Sequence, residues 1–344
     1  MRSTQRKDIE LMTAETDRQK PARVLFSSPG YRSYLLEFFR DCIGDDSWIM
    51  GADCNLLSPA LYVADQFEIL PKKLDEHYGK ELLKICIENE IDLLVPLSDM
   101  ELPLLSRLVS TFSAEGVTLL LSDRQIIDIC FDKWKTYELL SANGIPVPRT
   151  FDCLDSAIKA LDASHLELPI VIKPKTGSAS RGIHYPESIE QLRMLMKPDS
   201  IIQEFVHGPE WGLDILLDLD GKFIAAFPRK KLAMRAGETD KAIALEEPEL
   251  QAIGKKIGEL LGSLGARGPL DVDLIIDGND NPKVLEVNPR FGGGYPCAHF
   301  AGANYPALIM DMVAGKVAVP DPSSYVFGRT MLKTIGLHCL EGAK

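Results

Sequence analysis

The sequence predicts an α/β fold of more than one domain. Short apolar runs alternate with helically spaced stretches from residue 22 onward, which implies a parallel sheet covered by helices. Farther along, pairs of apolar runs are joined by Asp-Gly turns, the signature of hairpins. The chain has 344 residues, material for roughly two or three domains.

Residues 1–21 carry charges of both signs without an apolar signal-peptide core, and they read as a loosely attached tail. Residues 23–27 then form a short apolar strand, Ser28-Pro29-Gly30 turns the chain, and residues 31–42 have helical spacing. A second strand covers 48–53. The stretch 80–89 is helical and leads into a buried-looking strand over 91–96; 104–114 is helical again, and 117–121 is another strand. No GxGxxG follows the first strand, so a dinucleotide is not indicated. Asp99 and Glu101 fall at the carboxyl end of a strand, where open α/β sheets bind ligands. They serve equally well as helix-opening acids.

Composition narrows the partners. Hydrophobic residues make up 45% and charged residues 26%, ordinary proportions for a globular chain, while a net charge of -12 disfavours both nucleic acid and anionic membranes. The seven cysteines (Cys42, Cys54, Cys86, Cys130, Cys153, Cys297, Cys339) are odd in number and include no CxxC pair. A disulfide framework or zinc site is therefore not expected, and a reducing cytoplasm is.

The most informative stretch is 268–296. Two apolar runs, 272–276 and 284–287, flank the turn formers Asp277-Gly278-Asn279-Asp280-Asn281-Pro282, which makes a β-hairpin. With the turn centred between Asn279 and Asp280, Asp273 sits across from Glu286 and Asp271 across from Asn288. Opposed carboxylates repel, and a hard cation between them removes the repulsion. Arg290 follows with Gly292-Gly293-Gly294, a guanidinium suited to phosphate oxygens beside glycines that admit a substrate. Each acid could instead be a solvated edge-strand charge.

Three further stretches complement the hairpin. Lys133 opens a helix that ends at Asn143-Gly144. A strand over 170–172 delivers Lys173, and the small-residue loop 176–182, with Ser178 in it, can wrap phosphates through its backbone. The lysine precedes the glycines, so this is not the GxxxxGK[ST] loop, and a simple hairpin tip explains the glycines as well. Around Gln203-Glu204-Phe205-Val206 a linker offers an acceptor for a purine amine and an N–H for a ring nitrogen, and Glu210 can take ribose hydroxyls. Strands over 214–219 and 223–227, joined by Asp220-Gly221, form another hairpin ending in the cationic run Arg229-Lys230-Lys231.

The order of Asp132-Lys133, LPIVIKP with its small-residue loop, QEFVHGPE, DVDL and LEVNPR resembles the ATP-grasp superfamily over about residues 132–316. It is most similar to the ATP-binding half of carbamoyl-phosphate synthetase large chains and to stand-alone proteins like it. The resemblance implies an ATP-grasp fold preceded by a Rossmann-like, parallel-sheet pre-ATP-grasp domain at 22–125. A small lobe with its linker helix would span 126–225, and a C-terminal lobe with the metal site 226–344.

Carried over residue by residue, the resemblance gives Lys133 and Lys173 to the nucleotide phosphates or adenine, Ser178 and its neighbours to a mobile loop over the phosphates, Glu204 and the backbone of Val206 to adenine, and Glu210 to ribose. Asp273, Glu286 and Asn288 would bind magnesium, two ions or manganese in their place, and Arg290 would steady the transferred phosphoryl group. Asp273 is preferred to Asp271 because it falls at the family's distance before the glutamate. Arg229, Lys231, Arg235 and Gly293 are candidates for the acid substrate, with residues 235–241 over the site or forming a surface loop.

The implied activity is ATP-dependent carboxylate–amine ligation through an acylphosphate, acting on a small carboxylate and a small amine. A nucleotide-binding regulatory module and a kinase with a stable phosphorylated product are the alternatives. Only one of the synthetase's two halves is present, so carbamoyl-phosphate synthesis is not expected. Oligomeric state stays open, a homodimer included.

Overall fold

The computed structural model describes residues 22–177 and 182–337. The expected tail, Ser178 and Cys339 lie outside the described residues. Strands β1 (Arg23–Ser27), β2 (Trp48–Asp53), β3 (Gln66–Ile69), β4 (Leu93–Pro96) and β5 (Thr118–Leu119) build a parallel sheet in the order β3-β2-β1-β4-β5. The order reverses between β1 and β4, so the segments after these strands border the crevice where such sheets bind ligands. The edge strand β3 escapes sequence reading because all four of its residues are exposed and no apolar run marks it. The helix expected over 104–114 is two, Leu102–Leu105 and Val109–Ala114, separated by i→i+3 bonds from Arg107 N to Leu104 O and from Leu108 N to Leu105 O.

A three-stranded antiparallel sheet follows: β6 (Thr150–Phe151), β7 (Ile170–Pro174) and β8 (Ser200–Glu204), in the order β6-β8-β7. Helices Leu154–Asp162 and Ile189–Leu195 bury Ala157 and Leu192 against its Ile170, Ile172 and Ile202. The last sheet has six strands, β9 (Glu210–Leu217), β10 (Phe223–Arg235), β11 (Glu238–Ala244), β12 (Gly268–Ile276), β13 (Pro282–Asn288) and β14 (Thr330–Leu332). Their order is β13-β12-β9-β10-β11-β14. The sheets part between Glu204 and Glu210, whereas the expected division at residue 225 falls inside β10. Among the described residues no helix is long and apolar enough to cross a membrane.

The β12–β13 register pairs Asp273 with Glu286 and Asp271 with Asn288, as the alternation argument requires. Nearer the turn, Leu274 pairs with Val284 and Ile276 with Pro282. The turn is thus centred on Asn279 rather than half a residue beyond it, and Leu285 is an extra residue on β13. That bulge brings the two carboxylates opposite each other.

The first sheet and the last share one core. Phe26, Leu35 and Phe39 on one side pack with Phe227, Phe291, Tyr295 and Tyr305 on the other. Phe38 stacks on His299 at 3.7 Å. The two regions therefore meet through buried apolar surface, which keeps the β1–β4 crevice against the loop after β13.

Helix Pro248–Ser263 lies on β9 and β10 with Gly254, Gly258 and Gly262 in a row at helical spacing. A Cβ on Gly262 would stand 2.0 Å from the Gly221 carbonyl oxygen in the β9–β10 turn. Gly262→Ala should therefore lower stability by about 1–3 kcal/mol. Gly278, which has nothing within 4 Å of its would-be Cβ, should tolerate alanine within about 0.5 kcal/mol. Denaturant midpoints of the two variants check this, and equal effects would refute the packing argument.

Candidate active site

The cleft is built on the hairpin carboxylates and the cations that reach them from three directions. Lys133, first residue of helix Lys133–Ala142, is set by the Asp132 cap, whose side chain accepts from Trp134 N and Lys135 N. Its Nζ lies 3.9 Å from Glu286 and donates to Gly177 O at 2.6 Å. Lys173 is buried on β7, with Glu286, Lys133 and Asp273 near enough to act on its charge. Burial lowers its pKa to about 8, with Glu286 opposing. Lys231 of β10 bonds Asp273 at 2.7 Å and also reaches Glu210 at 3.4 Å. Lys231, expected on the acid substrate, thus sits instead between the predicted metal carboxylate and the predicted ribose carboxylate.

Burial, reinforced by Asp271 and Glu286 and opposed by Lys231, pushes Asp273 up to about 6. Burial is the main cause and repulsion from the neighbouring acids adds to it, so the place attracts cations. Asn288 turns its amide nitrogen toward the Asp271 carbonyl at 3.4 Å, and its amide oxygen is then the end available to a cation. Among the described residues no group of three or more His, Cys, Asp or Glu side chains could hold a metal. Two carboxylates and an amide nonetheless fit magnesium, which binds through one or two carboxylates and keeps phosphate oxygens and water as its other ligands.

Behind the hairpin runs a chain of buried charges. Arg229 is almost fully buried, pairing with Asp214 at 2.8 Å and with Asp271 at 2.6 Å. The other oxygen of Asp271 pairs with Arg290 at 2.9 Å, and Arg290 also meets Asp99 at 2.9 and 3.3 Å. Burial opposes ionisation of Asp271, but Arg229 and Arg290 hold its carboxyl below the usual range. Arg229 was expected on the substrate; the structure seals it beneath Gly212 and Gly294, whose would-be Cβ atoms stand 2.3 Å from its guanidinium. Asp271 and Asp99, which sequence reasoning set aside or left ambiguous, are what grip Arg290. Asp214 carried no sequence signal at all.

Other expected residues sort themselves by position. Glu204 ends β8 with its carboxylate accepting from Arg149 N at 3.0 Å, and Val206 lies in the link to β9, which Glu210 opens. Arg235 is half exposed and pairs with Asp240 at 2.8 Å rather than with the cleft residues. The segment 235–241 is a hairpin with a two-residue turn at Ala236-Gly237, both with positive φ, so it is part of the sheet and not a covering loop. Gly293 lies against Glu238, 3.0 Å from its would-be Cβ. Glu101 is fully buried and accepts from Leu97 N, Ser98 N, Ser28 and Tyr78, so it is a structural acid.

Lysines gathered over paired carboxylates, with Arg290 held four residues beyond Glu286, are groups suited to phosphate oxygens and a divalent cation. Comparison with known families places it. Residues 130–294 match the ATP-grasp domain and residues 24–120 the PylC-like N-terminal domain, so the chain carries an ATP-grasp domain preceded by a PylC-like N-terminal domain. Proteins of this family use ATP and magnesium.

The chain is similar to the arginine-specific carbamoyl phosphate synthase large chain of Bacillus subtilis, 25% identical over 186 residues. That match covers 51% of this chain but only 18% of the relative, so the chain spans less than a fifth of that protein. It is 26% identical over 214 residues to a D-alanine–D-alanine ligase of Pelotomaculum thermopropionicum, covering 54% of this chain and 67% of the ligase. Among solved structures it resembles the biotin carboxylase domain of Hydrogenobacter thermophilus 2-oxoglutarate carboxylase, solved with MgADP and bicarbonate. There the TM-score is 0.70 at 16% identity, over 91% of this chain and 74% of that one, a likeness of fold.

Two outcomes follow. Asp271→Asn leaves two buried guanidiniums short of their shared counter-charge and should cost about 3–5 kcal/mol; a denaturant midpoint near that of the parent would show the chain of charges to be dispensable. Because Lys173 is cationic only below a pKa of about 8, ATP affinity measured without metal should fall as pH rises from 7 to 9. Lys173→Arg, charged throughout, should flatten that profile.

Proposed function

We propose that the chain is an ATP-dependent carboxylate–amine ligase that works through an acylphosphate and releases ADP and phosphate. The observation that carries this reading is the meeting of Lys133, Lys173, Asp273 and Glu286 in one cleft, with Arg290 anchored beside it. The substrates are a small carboxylic acid and a small amine.

Lys133 and Lys173 hold the phosphates, Glu204 and the Val206 backbone the adenine, and Glu210 the ribose. Magnesium, as one ion or two and replaceable by manganese, would be held by Asp273, Glu286 and Asn288 and would offset charge on the β- and γ-phosphates. A carboxylate oxygen attacks the γ-phosphorus, the bond to the bridging oxygen breaks, and ADP leaves. The amine nitrogen then attacks the acyl carbon, phosphate departs, and the nitrogen gives up a proton.

Arg290 commits four of its five N–H donors, to Asp99, Asp271 and the Phe291 carbonyl. Held in that way it presents a fixed positive charge to the moving phosphoryl group without reorganising, the condition under which electrostatic stabilisation is strongest.

The test is incubation with ATP, magnesium and pooled carboxylic acids in the presence of hydroxylamine, which converts an acylphosphate to a hydroxamate. The ligase reading predicts ADP release together with a hydroxamate whose mass names the acid. A stable phosphorylated product would make the protein a kinase, and nucleotide binding without turnover a regulatory module. Arg290→Ala should lower hydroxamate formation about 10²- to 10³-fold while ATP affinity changes little. Equal losses in both would end its catalytic assignment.

A further inference from the structure

The cleft holds a second set of cations that nucleotide binding leaves unused. Arg32 follows β1 and Lys333 follows β14, and both close on Glu238 at the start of β11, at 2.9 and 3.4 Å. The Arg32 and Lys333 side chains are 15% and 21% exposed, while that of Glu238 is 46% exposed. A single half-exposed carboxylate thus serves two cations that are mostly withdrawn from water.

Donors outnumber acceptors at this place. The Nε of Arg32 and the hydroxyl of Tyr34 are both buried with no well-formed hydrogen bond, and Arg32 is itself the side chain near enough to donate to the Tyr34 oxygen, which leaves the phenolic O–H free to donate elsewhere. The Arg32 guanidinium lies beside the phenol, and Lys333 Nζ stands 5.5 Å from the Tyr34 ring centroid. Burial pushes Tyr34 up to about 12, so its hydroxyl remains a donor at neutral pH. Buried donors left unpaired are costly, and a small anion with two oxygens would satisfy them.

The position is also apt. Arg32 donates to the Leu97 carbonyl just beyond β4, which places it at the crevice where the parallel sheet reverses order. Tyr34 is close enough to Arg290 to feel its charge, and Glu238 lies against Gly293 in the loop that follows Arg290.

We infer that Arg32, Tyr34 and Lys333 form the subsite for a carboxylate of the small-molecule substrate, and that Glu238 is the internal carboxylate which the substrate displaces. Glu238, swung toward solvent, then faces a positive group on the same molecule, which is the pairing an amino acid offers. This rests on the ligase reading, and it narrows the substrate to the amino-acid class.

Binding is measured by calorimetry with magnesium ADP present, using the common L-amino acids, D-alanine, succinate and the methyl ester of each acid that binds. At least one free amino acid should bind, with its methyl ester weaker by about tenfold or more, the loss of one charge-assisted contact. Arg32→Gln and Lys333→Met should each weaken that amino acid by about tenfold or more, with Arg32→Lys recovering part of the loss. ADP affinity should stay within about twofold, since the nucleotide is held elsewhere.

Should the charge variants fail to fold, Tyr34→Phe removes only the hydroxyl and should still weaken the acid about threefold or more. Three results overturn the inference: no free acid binds the parent protein, acid and ester bind alike, or the variants bind the acid as the parent does. Failure of the parent to bind ADP is a separate result that strikes the ligase reading, because acid binding can be read without nucleotide.

Discussion

The carboxylate of Asp271, caught between Arg229 and Arg290, is the interaction on which the cleft depends. Removing three charges from water is unfavourable unless each meets a partner in good geometry. Here Asp214 completes the pairing of Arg229, and Asp99 that of Arg290. The chain of four ion pairs therefore reaches from β9 in the last sheet to the loop after β4 in the first. Glycines at 212 and 294 make room for the inner guanidinium, and any side chain at either would collide with it.

That chain explains why a parallel-sheet domain accompanies the nucleotide cleft. Asp99 sits beyond the carboxyl end of β4, and the shared apolar core of Phe39, Phe291 and Tyr295 fixes that end against the loop carrying Arg290. Arg290 is consequently oriented by two regions of the chain at once. Under the proposed function that fixed charge is an advantage, because a preorganised group need not reorient during phosphoryl transfer.

The lysines play a different part. Lys231 already answers Asp273, and Lys133 lies near Glu286. The acid pair is therefore cushioned by ammonium groups whose stems are flexible. Under the proposed function such groups would shift toward phosphate oxygens once a metal is held by the carboxylates. The arginines behind, with planar heads each bonded to two carboxylates, stay where they are.

Alternation along the strands put Asp271 and Asp273 on one face of their strand and Glu286 and Asn288 on one face of theirs, because side-chain period in a strand is fixed by covalent geometry, but the pairing of Asp273 with Glu286 also needed a register that alternation does not supply. The order of lysines, acids and Arg290 along the chain likewise disclosed the family before any coordinates. The sequence could not reveal that Leu285 bulges to produce that register, since a bulge depends on both strands at once. Nor could it separate Arg229 from Lys231. They stand two residues apart on β10 and are equally cationic, yet one is sealed under glycines and paired with Asp214, while the other reaches Asp273 and Glu210. Local pattern says which residues share a face; what lies across from that face is settled by distant segments packing against it. Asp99 and Asp271 hold Arg290 from positions 191 and 19 residues away, a proximity that only the tertiary fold creates.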